Sequence, residues 1–122
     1  MKANELRISS IFRWKSTGKV DNVKSIVTVG SKTYINDVCI SDCEPVKLDE
    51  DWFREFGFNQ VNTSWYKDEN FAIYEIITLS YKKAYCFVSD DMFIKDFEIK
   101  HVHQLQNLYF ALTGSELTTN PE

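Results

Sequence analysis

Glycine and proline are scarce in this chain of 122 residues, with four and two copies, and neither forms a cluster. The glycines Gly18, Gly30, Gly57 and Gly114 stand far apart. A phosphate-binding loop needs closely spaced glycines, because the backbone must approach the phosphate oxygens. Nucleotide binding through such a loop is therefore disfavoured. The lack of a glycine-rich or proline-rich linker favours one domain.

Long apolar runs are also missing. None approaches the ~20 residues that a membrane-spanning helix needs, and residues 1–6 lack the apolar core of a signal peptide. We therefore expect a cytoplasmic protein with no membrane partner. The three cysteines, Cys39, Cys43 and Cys86, are an odd number in a chain with no export signal, so reduced thiols are expected instead of disulfides.

The chain is well supplied with apolar side chains and unevenly charged. Hydrophobic residues make up 43% of it and aromatic residues 15%, which is enough apolar area to offset the entropy lost on folding. The net charge is −4. Residues 1–40 carry seven Lys and Arg against three acids, whereas residues 41–122 carry seven against fifteen. The basic N-terminal part can attract an anionic partner.

Short β-branched runs separated by turn residues indicate antiparallel strands. Runs at residues 11–15, 23–29 and 33–40 are separated by turns that contain Gly18 and Gly30. They predict an N-terminal antiparallel meander, or a small half-open barrel, without showing which face is buried. A second set of antiparallel hairpins is predicted from runs at residues 65–67, 71–78, 85–88 and 93–101.

A short helix is predicted between the two sets of strands. Asp49 is suited to cap its first turn, and Gly57 is suited to end it. Trp52, Phe53 and Phe56 form an aromatic stripe on one side. A helix of about two turns is too short to be stable alone, so we expect this stripe to pack on a sheet.

A second helix is predicted over residues 102–113, ending at Gly114. Its apolar face should pack on the sheet, and comprises Val102, Leu105, Leu108, Tyr109 and Leu112. A partly polar flank is a candidate surface for a protein partner. This flank comprises His103, Gln106, Asn107 and Phe110. The alternative is that the N-terminal lobe or a loop covers it.

Together these elements predict an α+β fold, with an N-terminal antiparallel meander, a short aromatic helix, a second set of antiparallel hairpins and a C-terminal helix packed on the sheet. We expect a single domain over residues 1–117, with a basic β-meander lobe over about 1–45 and a second lobe over 46–117. Residues 118–122 are expected to form a flexible tail. The predicted core comprises Trp52, Phe56, Phe97, Ile99, Leu105, Leu108, Tyr109 and Leu112.

No catalytic, cofactor or metal site is predicted. The cysteines with His101 and His103 are zinc-ligand types, but structural zinc sites carry paired, closely spaced ligands in both halves. Cys86 with a histidine and an asparagine has the residue types of a thiol nucleophile, yet its apolar strand would leave the thiol inert. Helix capping and a turn explain the carboxylates at 49–51 and 90–91. We therefore favour a function other than catalysis.

Basic and aromatic residues alternate on the predicted N-terminal meander. Small sheets can bind nucleic acid by stacking bases on rings and pairing phosphates with Lys or Arg. The alternative is that the rings belong to the core and the lysines keep the sheet edge soluble. The candidate nucleic-acid-binding residues are Arg13, Trp14, Lys15, Lys19, Lys24 and Lys32.

Three segments resemble small uncharacterised proteins of Bacteroides-type gut bacteria and their phages or prophages. The most specific is the C-terminal signature VHQLQNLYFALTG at residues 102–114, and the others lie at residues 4–8 and 48–58. Where such relatives carry Gly-Asn after an opening Arg-Ile, this chain has Ser9-Ser10. The resemblance implies no activity or site residue, but it implies an accessory protein of a phage or mobile element in the bacterial cytoplasm.

These features predict a non-enzymatic binding or protein-interaction module. Its expected partner is an unidentified protein, and no cofactor is expected. The alternative is a nucleic-acid-binding accessory protein that uses the basic, aromatic N-terminal meander.

Overall fold

The computed structural model describes residues 2–68, 71–77, 79–89 and 92–119, with the backbone alone for Ala3 and for residues 88–89 and 92–97. The described residues form the predicted α+β fold. The chain divides into two compact units: unit 1 comprises Met1–Lys47 and His101–Glu116, and unit 2 comprises Leu48–Lys100 and Leu117–Glu122. The closing helix thus groups with the N-terminal residues, whereas the predicted lobes placed it with residues 46–117.

Unit 1 contains short strands in two antiparallel sheets. These strands are β1 (Ile11–Trp14), β2 (Val20–Asn22), β3 (Ile26–Val29), β4 (Lys32–Ile35), β5 (Val38–Cys39) and β6 (Cys43–Glu44). One sheet has the order β2-β1-β6 and the other β3-β4-β5, and the described strands of unit 1 close no barrel. Single turns of 3₁₀ helix lie at Ala3–Glu5 and Ile40–Asp42.

The predicted strand at residues 23–29 is interrupted at its start. Val23 is 1% exposed and follows the end of β2. Its N–H donates to the Ser10 carbonyl at 2.9 Å, and its carbonyl accepts from the Ser9 N–H at 2.8 Å. Because the N-terminal segment satisfies the backbone of Val23, the chain leaves the first sheet there and enters the second only at Ile26.

The second sheet of unit 1 buries one face. Thr33 and Ile35 on β4 are buried, whereas Val27 and Val29 on β3 are 48% and 65% exposed. The predicted run at residues 33–40 is divided by a two-residue turn whose residues have φ of 50° and 69°, the conformation of a tight hairpin. The core of unit 1 comprises Leu6, Phe12, Val23, Ile35 and Cys43, with Trp14, Ile26 and Ile40 packed against it.

The C-terminal helix α2 spans Val102–Thr113, as predicted. Its first N–H donates to the Val46 carbonyl at 2.9 Å, and Lys47 forms a single antiparallel bridge with His101. Gly114 ends the helix with φ of 74°, and its N–H donates to the Phe110 carbonyl at 2.8 Å. A left-handed residue at this position favours glycine because other side chains clash there.

The buried face of α2 is rotated from the predicted one. Leu105 is fully buried, but Leu112 is 55% exposed, so its place in the predicted core is wrong. Leu108 is only half-buried. In their place α2 buries two polar side chains, His103 at 2% exposure and Gln106 at 1%.

Unit 2 begins with the predicted short helix, α1, which spans Glu50–Glu55. The Asp49 side chain caps it by accepting the Trp52 N–H at 3.2 Å. Gly57 follows with φ of 82°, which ends the helix as predicted. The local capping signals therefore place both ends of α1.

The sheet of unit 2 is an antiparallel meander in the order β11-β10-β9-β8-β7. The strands are β7 (Asn59–Val61), β8 (Ser64–Asp68), β9 (Phe71–Ile77), β10 (Lys83–Ser89) and β11 (Met92–Glu98). Residues 59–63, for which no strand was predicted, form β7 and a two-residue turn in which Asn62 has φ of 57°. The last predicted strand ends at Glu98, three residues earlier than expected.

The core of unit 2 is built from aromatic rings around Phe53. The Phe53 ring stacks on Trp65 at a centroid distance of 5.1 Å, and Tyr85 and Phe58 contact it edge-on at 5.0 and 5.3 Å. Such pairs add about 0.5–1.5 kcal/mol each beyond their buried area. The aromatic stripe of α1 therefore packs on the sheet, as predicted.

Other predicted core residues of unit 2 have different outcomes. Phe56 and Ile99 are buried, at 0% and 4% exposure, and Trp52 is half-buried. The side chain of Phe97 lies outside the described residues, as do residues 120–122 of the predicted tail. In the part of the chain that the structure describes, no helix is long and apolar enough to cross a membrane.

Candidate functional site

The flank of α2 that was predicted to bind a partner is covered by the N-terminal segment, residues 2–10 of unit 1. Gln106 makes the central contact. Its Oε1 accepts the Ile11 N–H at 2.7 Å, and its Nε2 donates to the Ser9 carbonyl at 2.9 Å. Backbone groups therefore satisfy both the oxygen and the nitrogen of this buried side-chain amide, as they satisfy each other between neighbouring strands of a β-sheet.

Asn107 and Arg7 extend this contact. The Asn107 Nδ2 donates to the Glu5 carbonyl at 2.9 Å, and its Oδ1 accepts from the Arg7 Nε at 2.7 Å. The Arg7 guanidinium also donates to the Gln106 carbonyl at 3.2 Å and to the Glu116 carboxylate at 2.5 Å. Arg7 thus ties the N-terminal segment to α2 and to the residues that follow it.

Phe110 is the member of the flank that stays accessible, at 40% exposure. The Arg7 guanidinium carbon lies 4.4 Å from the centre of its ring, a cation–π contact. An intramolecular partner therefore also covers part of this side chain.

His103 completes the covered flank. Its Nε2 lies 3.6 Å from a carboxylate oxygen of Glu5, and its Nδ1 has no hydrogen-bond partner among the described residues. Burial lowers the pKa of His103 below the ordinary value for a histidine, although the Glu5 carboxylate acts in the opposite direction. At neutral pH the ring is therefore uncharged.

The structure thus agrees with the alternative interpretation of the α2 flank, in which the N-terminal lobe covers it. The covering residues Glu5 and Arg7 were not identified from the sequence as members of this site. A cation and an anion in the opening residues carry no local signal for a helix about one hundred residues away. The carboxamides are evident in the sequence, but three of their four partners are backbone groups, which no residue type identifies, and the fourth is the distant Arg7 side chain.

The six basic and aromatic residues proposed to bind nucleic acid all lie in unit 1, on or between its strands. Arg13 and Trp14 lie on β1, Lys15 and Lys19 lie in the turn from β1 to β2, and Lys32 begins β4. Lys24 lies between β2 and β3. Among the described residues, none of these five cations takes part in an ion pair. Their charges are therefore available to an external anion.

Trp14 is less available than the cations. It is half-buried against the core of unit 1, and its ring meets Phe12 edge-on at a centroid distance of 4.6 Å. Its indole N–H donates to the Asp21 carboxylate at 3.2 Å. The ring is held in place, so only its exposed part can contact a base.

The three cysteines occupy different environments. Cys43 and Cys86 are buried, and desolvation raises the pKa of Cys43 to about 11 and that of Cys86 above its ordinary value. Cys39 is exposed, and a hydrogen bond from the Ser41 hydroxyl at 3.4 Å lowers its pKa. A buried thiol with a raised pKa is a poor nucleophile, so the structure gives Cys86 no sign of activation.

The carboxylates at residues 49–51 were considered as candidate acid/base groups, and they have structural partners. Asp49 caps α1, and the Lys83 ammonium donates to Glu50 at 2.6 Å, which lowers the pKa of that carboxyl. Residues 90–91 lie outside the described part of the chain. Among the described residues, no three His, Cys, Asp or Glu side chains are grouped so that they could hold a metal ion.

A second surface was not predicted from the sequence, and it lies where β9 turns into β10. Ile77, Leu79 and Tyr81 are 67%, 103% and 90% exposed. We call these three residues the β9–β10 tip. Tyr81 has φ of 61°, a left-handed conformation that is rare for a bulky side chain. The available sequence signal was three large apolar residues within five positions, one at the end of β9 and two in the segment that follows it.

An open groove of about 640 Å³ adjoins the β9–β10 tip within unit 2. Its lining is mostly apolar and comprises Ile76, Ile77, Leu79, Ser80, Ala84, Cys86 and Glu98. Binding pockets for small molecules and for anchoring side chains are commonly apolar with a few polar groups. The three exposed residues of the β9–β10 tip thus lie beside a groove that is mostly apolar.

No protein-family model matches this chain, and no curated protein or solved structure matches it either. The choice between functions therefore depends on the surfaces described above.

Proposed function

We propose that this protein is a non-enzymatic protein-interaction module that contacts its partner through the β9–β10 tip. The observation that carries the proposal is the exposure of Ile77, Leu79 and Tyr81 at 67%, 103% and 90%. Large apolar side chains cost free energy in water, at about 25 cal/mol per Å² of apolar surface. A compact group of them on a folded surface is typical of a protein interface.

The chemistry of the tip supports a protein partner. Tyrosine is enriched among the residues that dominate binding energy, because it combines a large apolar ring with a hydroxyl that can hydrogen-bond. The left-handed backbone of Tyr81 costs about 1–3 kcal/mol, and such strain is often found at functional positions. The adjoining groove can accept an apolar side chain of the partner.

Capture from a lysate of a Bacteroides-type bacterium tests this proposal. Wild-type protein and Leu79→Asp are immobilised, and the recovered proteins are quantified by mass spectrometry. Leu79 is in a turn and fully exposed, so the substitution should not disturb the fold. We expect at least one protein to be recovered at least tenfold less with Leu79→Asp, since a charge at a buried contact is strongly unfavourable.

The chain offers a closely matched control. Ile77 and Val29 are both the last residue of a strand, and they are 67% and 65% exposed. Ile77→Asp should reduce recovery of the same protein, whereas Val29→Asp in unit 1 should leave it unchanged. Equal recovery with wild type and all three variants would show that the β9–β10 tip does not contact the captured protein.

We also propose that the protein is an accessory protein of a phage or mobile element acting in the bacterial cytoplasm. The support is the resemblance of residues 4–8, 48–58 and 102–114 to small proteins of gut bacteria and their phages. Phage or mobile-element genes next to this gene in a bacterial genome would agree with this origin, and their absence would contradict it.

Nucleic-acid binding is the second candidate function, and the charge distribution favours it. Unit 1 carries eight Lys and Arg against six acids, whereas unit 2 carries six against twelve. Within the described residues, the acids Asp21 and Asp42 of unit 1 accept hydrogen bonds from Trp14 and Ser16, while Lys15 and Lys19 pair with no acid. Unit 1 therefore presents cations to an anionic polymer.

Titration with labelled single-stranded DNA tests this second function. Binding at low salt should weaken as salt rises, because counterions are released when phosphates bind. Lys15→Glu with Lys19→Glu should weaken binding and reduce the salt slope by about 0.7 for each phosphate that the protein no longer neutralises. Lys82→Glu in unit 2 changes the net charge by the same amount as Lys15→Glu alone and serves as the control for that single variant. Absence of binding at low salt would dispose of this function.

A further inference from the structure

His103 combines nearly complete burial with incomplete hydrogen bonding. It is 2% exposed, and its Nδ1 has no hydrogen-bond partner in the described part of the chain. Its Nε2 lies 3.6 Å from Glu5 Oε2, which is long for a hydrogen bond. A charged imidazole requires a partner for both nitrogens, so the buried ring strongly prefers to stay neutral.

Several charged or titratable groups act on His103. Burial has the largest effect and disfavours the imidazolium. The Glu5 carboxylate, from the N-terminal segment, favours it. His101, whose ring stacks on that of His103 at a centroid distance of 5.8 Å, disfavours it. The net balance is against a proton on His103 while the ring stays covered.

The N-terminal segment contacts His103 through Glu5, and it is held against the same helix by several hydrogen bonds. Its contacts with α2 are the amides of Gln106 and Asn107 and the guanidinium of Arg7. If this segment lifts, the imidazole becomes hydrated and regains its ordinary affinity for a proton. The same movement takes Arg7 away from the ring of Phe110.

We propose that the N-terminal segment is an acid-sensitive cover over α2, which protonation of His103 releases, exposing the α2 flank and the ring of Phe110. The uncovered state binds the proton more tightly, so lowering the pH below about 6.5 favours it. Once the pH is below the pKa of the covered ring, both states carry the proton, and a further fall in pH does not shift the equilibrium. Between pH 7.5 and 5.0, the ratio of uncovered to covered protein rises by up to about thirtyfold. The full increase applies if the ring takes up a proton only in the uncovered state.

Hydrogen exchange of the full chain, read by mass spectrometry at pH 7.5 and 5.0, tests this proposal. After correction for intrinsic exchange rates, the amides of residues 5–11 should lose up to about thirtyfold of their protection at pH 5.0. The amides of β9 and β10 in unit 2 should keep theirs. An unchanged N-terminal segment, or equal loss in both units, would overturn the proposal.

Two variants separate the cover from general acid sensitivity. His103→Leu should abolish the pH response of residues 5–11, whereas Glu5→Gln should enlarge it, because the imidazolium loses its counter-charge. If His103→Leu does not fold, an NMR titration of the wild-type His103 ring decides instead. We expect a pKa below 6.5, and a value at or above 6.5 would overturn the proposal.

Discussion

The Gln106 amide shows how a polar side chain on the closing helix serves the fold. Its two ends bind the Ile11 N–H and the Ser9 carbonyl, and it is 1% exposed. In the sequence it reads as part of a polar flank suited to a partner. Its partners are backbone groups about one hundred residues away, so no local pattern could have predicted them.

Replacing Gln106 by leucine should destabilise the protein by about 2–6 kcal/mol, because the buried Ile11 N–H and the partly buried Ser9 carbonyl lose their partners at roughly 1–3 kcal/mol each. The midpoint and slope of urea unfolding measure this change. Gln60→Leu is the matched exchange at an exposed position and should change stability by less than about 0.5 kcal/mol. Equal midpoints for Gln106→Leu and wild type would show that the amide contact is not made.

The two helices show which parts of an element are predictable. Their ends carry local signals, namely the Asp49 cap and the glycines Gly57 and Gly114, so both helices begin and end as predicted. The rotation of α2 about its axis was predicted from apolar residues alone. It differs because buried His103 and Gln106 meet nonlocal groups, which moves Leu112 to the surface.

Alanine substitutions along α2 measure this rotation. Leu105→Ala should cost about 2–5 kcal/mol because the side chain is fully buried and its loss leaves a cavity. Leu108→Ala should cost less, as the residue is half-buried. Leu112→Ala should stay within about 0.5 kcal/mol. Guanidinium unfolding would rank the three, and a larger loss at Leu112 than at Leu105 would contradict the observed face.

Across the whole molecule, the positions of strands were easier to predict than which strands share a sheet. The β-branched runs mark most strands, but β7 is polar and exposed, and β3 begins late because Val23 pairs with the N-terminal segment. Which sheet a strand joins depends on contacts that are distant in sequence. The exposed β9–β10 tip was missed for a related reason, since apolar residues in a connecting segment look like core until burial is known.

Photo-crosslinking tests most directly whether the β9–β10 tip contacts the partner. A benzophenone amino acid is placed at position 79, at position 29 on β3, or at position 110 on α2, and each protein is irradiated in bacterial lysate. We expect a discrete crosslinked product from position 79 and none from position 29, which is also an exposed apolar site. A product from position 29 or 110 with none from position 79 would contradict binding through the tip.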